Sequence, residues 1–364
     1  MSDFKTIKIL VAGNATIDQF VYGKFRSEGD RVTLICEGFD RTFDLVDPPF
    51  KTGYKHRIDV DVENAIYGLK TQSRPGGGGI NLAISMFNRA PHETYLQINY
   101  VDMSQEHPLI REHLDNLGIN YRFLGHRPVP VNIVMGTRDD KVTLKGPMLP
   151  RESLTDSDRK TIETLVEGSD VACGNGLKDD SLAKYMISAS NSRNIPIFFL
   201  VTSSLERVFF EREVLPIATT IINQEDIFRY LGGNPQSADP NQMYTLSVEY
   251  VRSLVLDGKI RGYPLIVTMG SNGAIFWTKD APLRHTKVNE ETALKINKYH
   301  FSDTSRINGA GDTFAGEILM QSIQYPSRNI TTMVERANKA ALRRMGYEGQ
   351  LTTANFKTTE IPIH

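Results

Sequence analysis

The amino-acid sequence predicts an α/β fold, a doubly wound and mostly parallel sheet with a small β-sheet set apart from it. Three observations lead to this prediction. Short apolar runs alternate with segments of helical periodicity along most of the chain, which is typical of parallel strands joined by helices. The first run, residues 7–12, is largely apolar, as expected of a strand buried on both faces. Residues 21–73 instead contain β-branched runs separated by turns.

Composition and charge exclude several classes of protein. The 364 residues are 40% hydrophobic, enough for a sizeable core, and the formal charge of −1 argues against a nucleic-acid-binding surface. Cys36 and Cys173 form no CxxC motif, and the histidines include no pair at metal-ligand spacing, so we expect a reducing compartment and no zinc site. The N-terminus does not resemble a signal peptide, and no apolar run approaches the ~18 residues of a membrane span. We expect a cytoplasmic protein that binds neither nucleic acid nor membrane.

The first strand ends at Gly13, and Asn14 and Asp18 follow it. Ligands of α/β proteins bind at the carboxyl ends of parallel strands, so Asp18 is a candidate for binding substrate hydroxyls. An aspartate in an ordinary turn is the alternative interpretation.

Residues 21–73 form a separate region, with strands predicted at 31–36 and 57–62. A sheet this small cannot hide its apolar face by itself. We therefore expect it to close over a ligand or to pair with a second subunit. We predict a main α/β domain made of residues 1–20 and 74–364. Residues 21–73 are predicted to project from it as a separate small β region.

Four glycines at residues 76–79 open the next helix, with Asn81 in its first turn. Glycines let a ligand approach the backbone closely, and the Asn81 amide can hydrogen-bond to hydroxyl groups. A flexible linker is the other interpretation of a glycine run.

The middle of the chain continues the alternation of strands and helices. Strands are predicted at 94–101, 129–135, 142–144, 170–173, 195–201 and 219–222, and helices at 106–117, 155–166, 179–191 and 332–345. The charged cluster between residues 202 and 216 is interpreted as a solvated helix face.

Two later stretches have a pattern suited to a nucleotide. Residues 223–226, Asn-Gln-Glu-Asp, follow a strand and offer the hard oxygen ligands that magnesium prefers, although an ordinary helix N-terminus looks much the same. Residues 265–277 are predicted as strand, tight glycine turn and strand. Such a turn can bind a nucleotide. A plain hairpin is the alternative interpretation.

The stretch 308–316, Asn-Gly-Ala-Gly-Asp-Thr-Phe-Ala-Gly, predicts a loop that turns into a helix. Gly309, Ala310 and Gly311 leave their N–H groups unshielded, so the helix start is an anion site. Asp312 can accept the proton of an attacking hydroxyl there, as phosphoryl transfer requires. A plain helix cap is the alternative.

Together and in this order, these motifs resemble the ribokinase-like sugar kinases, the PfkB carbohydrate kinase family. The resemblance rests on residues 13–18, 75–81, 223–226, 267–274 and 309–312. It implies a ribokinase-like, Rossmann-like three-layer fold in which residues 21–73 form a β-lid, and it implies ATP and Mg²⁺ as cofactors.

The resemblance also implies roles for individual residues. Asp312 resembles the catalytic base, with the amides of Gly309, Ala310 and Gly311 as the anion hole. The residues that resemble substrate ligands are Asp18, Gly77, Gly78 and Asn81. Those that resemble ATP ligands are Asn223, Thr268, Gly270, Gly273 and Asn338. Asp226, which stands where the family has glutamate, is expected to hold Mg²⁺ through water.

The loop before the helix departs from the family pattern. Where the family has an aspartate that helps to bind a potassium ion, either Arg306 replaces it or three residues are inserted and Asp303 takes its place. Arginine would repel a monovalent cation, so the first interpretation predicts indifference to potassium.

The sequence thus predicts an ATP-dependent kinase acting on a sugar or sugar phosphate. A nucleoside kinase is the alternative within the fold, since Gly13, Asn14 and Asn308 resemble adenosine kinases. A non-catalytic binding protein is the third, and the intact 309–312 motif argues against it. We also expect a homodimer through the lid, because apolar residues such as Val32, Leu34 and Ile58 need a partner surface.

Overall fold

The structure is a computed structural model that describes most of the chain. The described residues are 6–36, 39–46, 48, 50, 55–62, 66, 67, 69, 71–89, 95–136, 141–146, 153–177, 180–202, 204–291, 309–344 and 355–363. Asp303, Arg306 and Asn308, which the potassium and nucleoside hypotheses concern, lie outside the described residues.

Eighteen strands are formed by the described residues. They are β1 Thr6–Gly13, β2 Thr16–Val21, β3 Lys24–Glu28, β4 Arg31–Cys36, β5 Phe39–Asp44, β6 Lys55–Arg57, β7 Thr71–Gly76, β8 Tyr95–Ser104, β9 Asn120–Arg127, β10 Val131–Gly136, β11 Lys141–Lys145, β12 Val171–Asn175, β13 Ile197–Val201, β14 Ala218–Asn223, β15 Leu265–Thr268, β16 Ala274–Thr278, β17 Ala281–Val288 and β18 Phe356–Glu360.

Ten of these strands form one large sheet in the order β18-β17-β16-β15-β14-β13-β12-β1-β8-β9. Pairing is parallel from β15 across to β9 and antiparallel from β15 to β18. Strands β8 and β9 lie on one side of β1, and strands β12 to β15 lie on its other side. This reversal makes the carboxyl end of β1 the switch point where open α/β sheets bind ligands.

Helices of at least seven residues cover the two faces of the large sheet. They are α1 Gly78–Phe87, α2 Pro108–Asn116, α3 Asp156–Glu167, α4 Asp180–Ser192, α5 Gln224–Tyr230, α6 Pro240–Leu256, α7 Ala310–Gln324 and α8 Ile330–Arg344. The predicted doubly wound α/β architecture is confirmed.

The alternation of side chains along β1 explains its apolar sequence. Ile9 and Val11 pack into a core shared with the helices α1, α7 and α8, whereas Leu10 and Ala12 pack into the core on the opposite face. All four are fully buried. A central parallel strand is covered on both sides, so it needs apolar residues at successive positions.

The remaining strands form two small sheets next to the large one. A five-stranded sheet has the order β6-β11-β10-β2-β7, and a three-stranded sheet has the order β3-β4-β5. The predicted strand 31–36 and the predicted pairing of 129–135 with 142–144 are confirmed. Of the predicted strand 57–62, only Arg57 lies in a strand, and Ile58 makes an isolated bridge with Leu45. The division of the chain at 21 and 73 stays a prediction.

The two small sheets have a core of their own. Val32, Leu34 and Ile58 are each 0% exposed within a single chain, because they pack with Ile133 and Leu144 of the five-stranded sheet. The expectation that these residues need a partner subunit is wrong. The sequence did not reveal that β10 and β11, distant in the chain, would cover them.

The charged cluster between residues 202 and 216 is not a solvated face throughout. Glu211 is buried, and its carboxylate accepts hydrogen bonds from Arg207 at 2.6 Å, from Lys259 at 2.8 Å and from the Tyr250 hydroxyl at 2.8 Å. These charge-assisted bonds lower its pKa despite the opposing effect of burial. Glu211 therefore ties this segment to the neighbouring helix α6.

Within the part of the chain that the structure describes, the helices are all too short or too polar to cross a membrane.

Candidate functional site

The helix α7 begins with an open N-terminus. Gly309 occupies the N-cap position in the left-handed conformation (φ 80°), and no side chain caps the helix. The first helical bond runs from Thr313 N to Gly309 O at 2.8 Å, so helix geometry leaves the N–H groups of residues 310–312 for other acceptors. A Cβ atom at Gly311 would meet no atom within 4 Å. The predicted helix start is confirmed, and the N–H groups of its first residues have no acceptor within the helix.

Asp312 lies in the first turn of α7 and is half-buried. Its Oδ1 accepts a hydrogen bond of 2.7 Å from the Asn175 side-chain amide, which also donates to the Gly78 carbonyl oxygen at 2.7 Å. Asn175 is the last residue of β12 and is buried. One amide thus joins the start of α7, the end of a central strand and the glycine turn.

Asn81 and Asp312 flank Gly309. A Cβ atom on Gly309 would lie 3.7 Å from Cγ of Asn81 and 3.8 Å from Oδ2 of Asp312. Asn81 is half-buried in the first turn of α1. The structure therefore brings the two predicted motifs, 75–81 and 309–312, to one place.

The glycine turn before α1 packs against the turn that follows β1. A Cβ atom on Gly77, which has φ 98°, would lie 2.3 Å from Asn14 O, and one on Gly79 would lie 2.7 Å from Cα of Gly13. Gly79 N donates to Asn14 O at 3.2 Å. The linker interpretation is wrong, since these glycines permit a tight contact between two backbone segments. Substrate binding by Gly77 and Gly78 stays a prediction.

Asp18 lies in β2, within the five-stranded sheet rather than in a turn after β1. Its Oδ1 accepts hydrogen bonds from Asn132 Nδ2 at 2.8 Å and from Thr16 Oγ1 at 3.2 Å. The carboxylate faces the glycine turn, because a Cβ atom on Gly76 would lie 2.6 Å from its Oδ2. The small sheet therefore carries a predicted substrate ligand to the edge of the site.

A buried acid beneath the site holds the turn after β1. Asp102 is 1% exposed, and its carboxylate accepts hydrogen bonds from Ala15 N, from Ser104 N at 2.9 Å and from the Tyr100 hydroxyl at 2.8 Å. The same hydroxyl lies 3.0 Å from Gly13 O. Burial raises the pKa of Asp102 above its ordinary value, and the hydrogen bonds oppose that rise.

Arg127 continues this network. Its Nη2 donates to Asn14 Oδ1 at 3.1 Å, and Asn14 Nδ2 donates to the Gly176 carbonyl oxygen. Sequence reasoning missed Asn175, Asp102 and Arg127. Asn175 and Asp102 could have been found, because each closely follows a predicted strand. The same position after a strand made Asp18 a candidate.

The start of α5 is closed by its own residues. Asn223 caps the helix by accepting from Asp226 N at 2.7 Å, and its side-chain amide donates to the Asp226 carboxylate. Arg229 Nη1 lies 3.3 Å from Asp226 Oδ1. Asp226 is 5% exposed. A carboxylate with these partners fits a magnesium ion held through water better than one bound directly.

Metal-binding side chains do not gather elsewhere in the described residues. Within those ranges no group of three or more histidine, cysteine, aspartate or glutamate side chains is placed to hold a metal ion.

The predicted nucleotide turn is present between β15 and β16. Gly273 has φ 82°, and a Cβ atom there would lie 2.1 Å from Thr286 O, so this position requires glycine. Gly270 also has a positive φ, of 58°, and a Cβ atom there would meet no atom within 4 Å. Thr268 ends β15, which pairs with β14 through Asn223. The predicted ATP ligands Asn223 and Thr268 are thus neighbours.

Asn338 lies on the buried side of α8. It is 9% exposed, and its Nδ2 has no hydrogen-bond partner among the described residues. A buried donor without an acceptor costs about 1–3 kcal/mol. A ligand that supplies an acceptor would remove this cost.

Comparison with solved structures identifies the fold. Adenosine kinase from Schistosoma mansoni, in complex with 2-fluoroadenosine, superposes with a TM-score of 0.62 at 16% identity, covering 94% of this chain and 97% of that one. Ribokinase from Arabidopsis thaliana, complexed with ribose and ATP, gives 0.57 at 15% identity, covering 95% and 94%. This chain has the ribokinase-like fold.

A third solved structure is also similar to this chain. Phosphofructokinase-2 from Escherichia coli, in complex with substrates and products, gives a TM-score of 0.59 at 13% identity and covers 93% of this chain and 92% of that one. No protein-family model and no curated protein matches the sequence significantly. The predicted ribokinase-like fold is therefore confirmed. The two small sheets include β10 and β11 as well as strands from residues 21–73, so they extend beyond the predicted lid.

Proposed function

We propose that this chain is a kinase that transfers the γ-phosphoryl group of ATP to a hydroxyl of a sugar or sugar phosphate. One observation carries the proposal. Asp312 is held by Asn175 at the uncapped start of α7, beside Asn81 and the N–H groups of residues 310–312, which have no acceptor within the helix. A base next to an anion site is the arrangement that phosphoryl transfer needs.

In this proposal Asp312 accepts the proton of the acceptor hydroxyl while the hydroxyl oxygen bonds to the γ-phosphorus. The bond from that phosphorus to the bridging oxygen breaks, and ADP leaves. The amides of Gly309, Ala310 and Gly311 stabilise the charge on the transferred group. The Asn175 hydrogen bond holds the Asp312 side chain in a fixed orientation.

The acceptor would bind to Asp18, Gly77, Gly78 and Asn81. Support comes from the position of Asp18 against the glycine turn and of Asn81 beside Gly309. The small sheets would then act as the lid, since β2 carries Asp18 to the acceptor.

ATP would bind to Asn223, Thr268, Gly270, Gly273 and Asn338. The open turn at Gly270 and the unpartnered Nδ2 of Asn338 support this assignment. Mg²⁺, held through water at Asp226, would supply positive charge to the phosphate groups. Potassium dependence stays open, because both Asp303 and Arg306 lie outside the described residues.

A nucleoside acceptor is the second candidate. It is favoured by the superposition on adenosine kinase, whose TM-score of 0.62 exceeds those of the ribokinase and phosphofructokinase-2 above. A non-catalytic binding protein is disfavoured, because a scaffold needs no carboxyl group held by a distant amide beside an uncapped helix start.

An acceptor screen tests the proposal. ADP formation is followed with ATP and Mg²⁺ across pentoses, hexoses, sugar phosphates and nucleosides, with Asp312→Asn as the inactive control. We expect one sugar or sugar phosphate to support turnover in the wild type only. Turnover on nucleosides alone would select the second candidate, and ADP formation on no acceptor would overturn the kinase proposal.

We keep a homodimer and a cytoplasmic location as parts of the proposal. Support for the dimer comes from large apolar side chains of residues 21–73 that are exposed in the single chain, namely Tyr22, Val46, Val60 and Tyr67. Sedimentation velocity at micromolar concentration tests it, and a monomer would exclude it.

A further inference from the structure

A cavity of about 990 Å³ lies between the helices α1, α7 and α8. Its edge reaches Asn81 and Gly309, which are the two residues of the predicted site that line it. The predicted ATP ligands, all of them described residues, lie elsewhere. The volume is at the upper end of the roughly 300–1,000 Å³ of small-molecule sites. The cavity is thus a neighbour of the transfer site and separate from the nucleotide turn.

The wall of this cavity is strongly cationic. Six cationic side chains line it: Arg74, Arg89, Arg336, Lys339, Arg343 and Arg344. Two carboxylates, Glu317 and Glu335, oppose them within the described wall. Since the whole chain has a formal charge of −1, this excess is a local feature.

Neither carboxylate neutralises the cations of α8. Glu317 accepts from Arg89 Nε at 2.9 Å and from the Gln321 side chain at 2.7 Å. Burial raises the pKa of Glu335, against a hydrogen bond from Thr358 that lowers it. Both acids are therefore engaged away from the exposed arginines.

The cations on α8 share one side of the helix. Arg336, Lys339 and Arg343 are spaced three and four residues apart, which places them on one face, and they extend about 10 Å along the axis. Within the part of the chain that the structure describes, these three and Arg344 have no hydrogen-bond or ion-pair partner. Arg74 and Arg89, from other elements, line the same cavity, so the cations do not all come from one solvated helix face.

We propose that this cavity binds a small compound carrying two phosphate groups, in addition to the acceptor and ATP. Arginine guanidinium groups match the geometry of phosphate oxygens. Successive cations of the α8 row lie about 5–6 Å apart at Cβ, so their long side chains can converge on two linked phosphates. A concave site whose cations come from several elements suits a small molecule better than a nucleic acid. Because the cavity meets Asn81 and Gly309, its occupant lies next to the transfer site.

Calorimetric titration with inorganic pyrophosphate tests this site. The full-length chain is titrated with and without a non-hydrolysable ATP analogue at saturation. The cavity variant carries Arg336→Ala, Lys339→Ala and Arg343→Ala. The control variant removes the same charges from exposed positions elsewhere, with Arg122→Ala, Arg212→Ala and Lys279→Ala.

We expect pyrophosphate to bind the wild type and the control with equal affinity, with the ATP analogue present. The cavity variant should bind more than about tenfold more weakly, since one charge-assisted hydrogen bond already contributes about that factor. Orthophosphate should bind more weakly than pyrophosphate to the wild type.

Three results would overturn the proposal: no pyrophosphate binding, equal weakening in both variants, or unchanged binding in the cavity variant. Substitution of exposed arginines by alanine preserves a helix, and a matching melting temperature verifies the fold. If the triple variant unfolds, Arg336→Gln and Arg343→Gln together replace it, with the same criteria. The binding measurement stands whether or not the chain proves to be a kinase.

Discussion

The helices α5 and α7 both have an aspartate in the first turn, and the surroundings of the two aspartates differ. At the start of α5, Asp226 is 5% exposed and is bound by Asn223 and Arg229, both three residues away. At the start of α7, Asp312 is half-buried and is bound by Asn175, which is 137 residues away. The first carboxylate is held by its own helix, and the second by the tertiary structure.

The difference separates a helix start capped by its own residue from one that is not. Asn223 accepts a hydrogen bond from the Asp226 amide at the start of α5, so that amide is not left for an anion. Gly309 has no side chain with which to cap α7, so the amides there are left for an anion. A similar residue at a similar position is thus held by its own helix in one case and by a distant strand in the other.

The largest expected effect comes from Asp312→Asn. The substitution keeps the shape of the side chain and removes the proton acceptor, so kcat should fall by about 10²–10⁴-fold. Binding of an ATP analogue, measured by calorimetry, should survive. Near-normal turnover in a folded variant would show that Asp312 is only a helix-cap residue, like Asp226.

A smaller loss of kcat is expected from Asn175→Ala, which removes the side-chain amide that donates to Asp312. A hydrogen bond to a charged group is worth about 1.5–3 kcal/mol, so kcat should fall by about 10–100-fold. Steady-state kinetics with the accepted substrate measures this fall in kcat.

Asn132→Ala is the matched control, because it removes an amide from Asp18 instead. It should raise KM for the acceptor and leave kcat nearly unchanged. Equal loss of kcat in both variants would contradict a specific role for Asn175.

The variant Asp226→Asn tests the other helix start. The substitution leaves the Asn223 cap intact, because that bond uses the Asp226 backbone N–H, and removes the ion pair with Arg229. Stability, measured by thermal unfolding, should fall by about 1 kcal/mol or less. The Mg²⁺ concentration for half-maximal rate should rise, with kcat nearly unchanged. A loss of kcat as large as that of Asp312→Asn would remove the distinction between the two aspartates.

The smallest expected effect concerns the loop before α7. If Arg306 replaces the cation-binding aspartate of the family, potassium should not change the rate. Initial rates in potassium and in a bulky organic cation at equal ionic strength measure this. Strong activation would favour Asp303, and Arg306→Ala should then have little effect.

Much of the fold was predictable because its signals are local. The strand at 31–36, the helix that begins at Ala310 and the turn between β15 and β16 follow from periodicity and from glycines in consecutive residues. The candidate base and its amides were predictable for the same reason. The partners of these residues were not, since they come from distant parts of the chain.

By itself the sequence determined the α/β class, the order of the elements and the residues at the start of α7, because periodicity and missing side chains act over a few neighbouring positions. Only the tertiary structure decided that Asn175 binds Asp312 and that Asp18 lies in a small sheet. It also decided that Leu34 is buried within one chain. These outcomes depend on how distant segments pack, and packing is set by the register and orientation of whole elements.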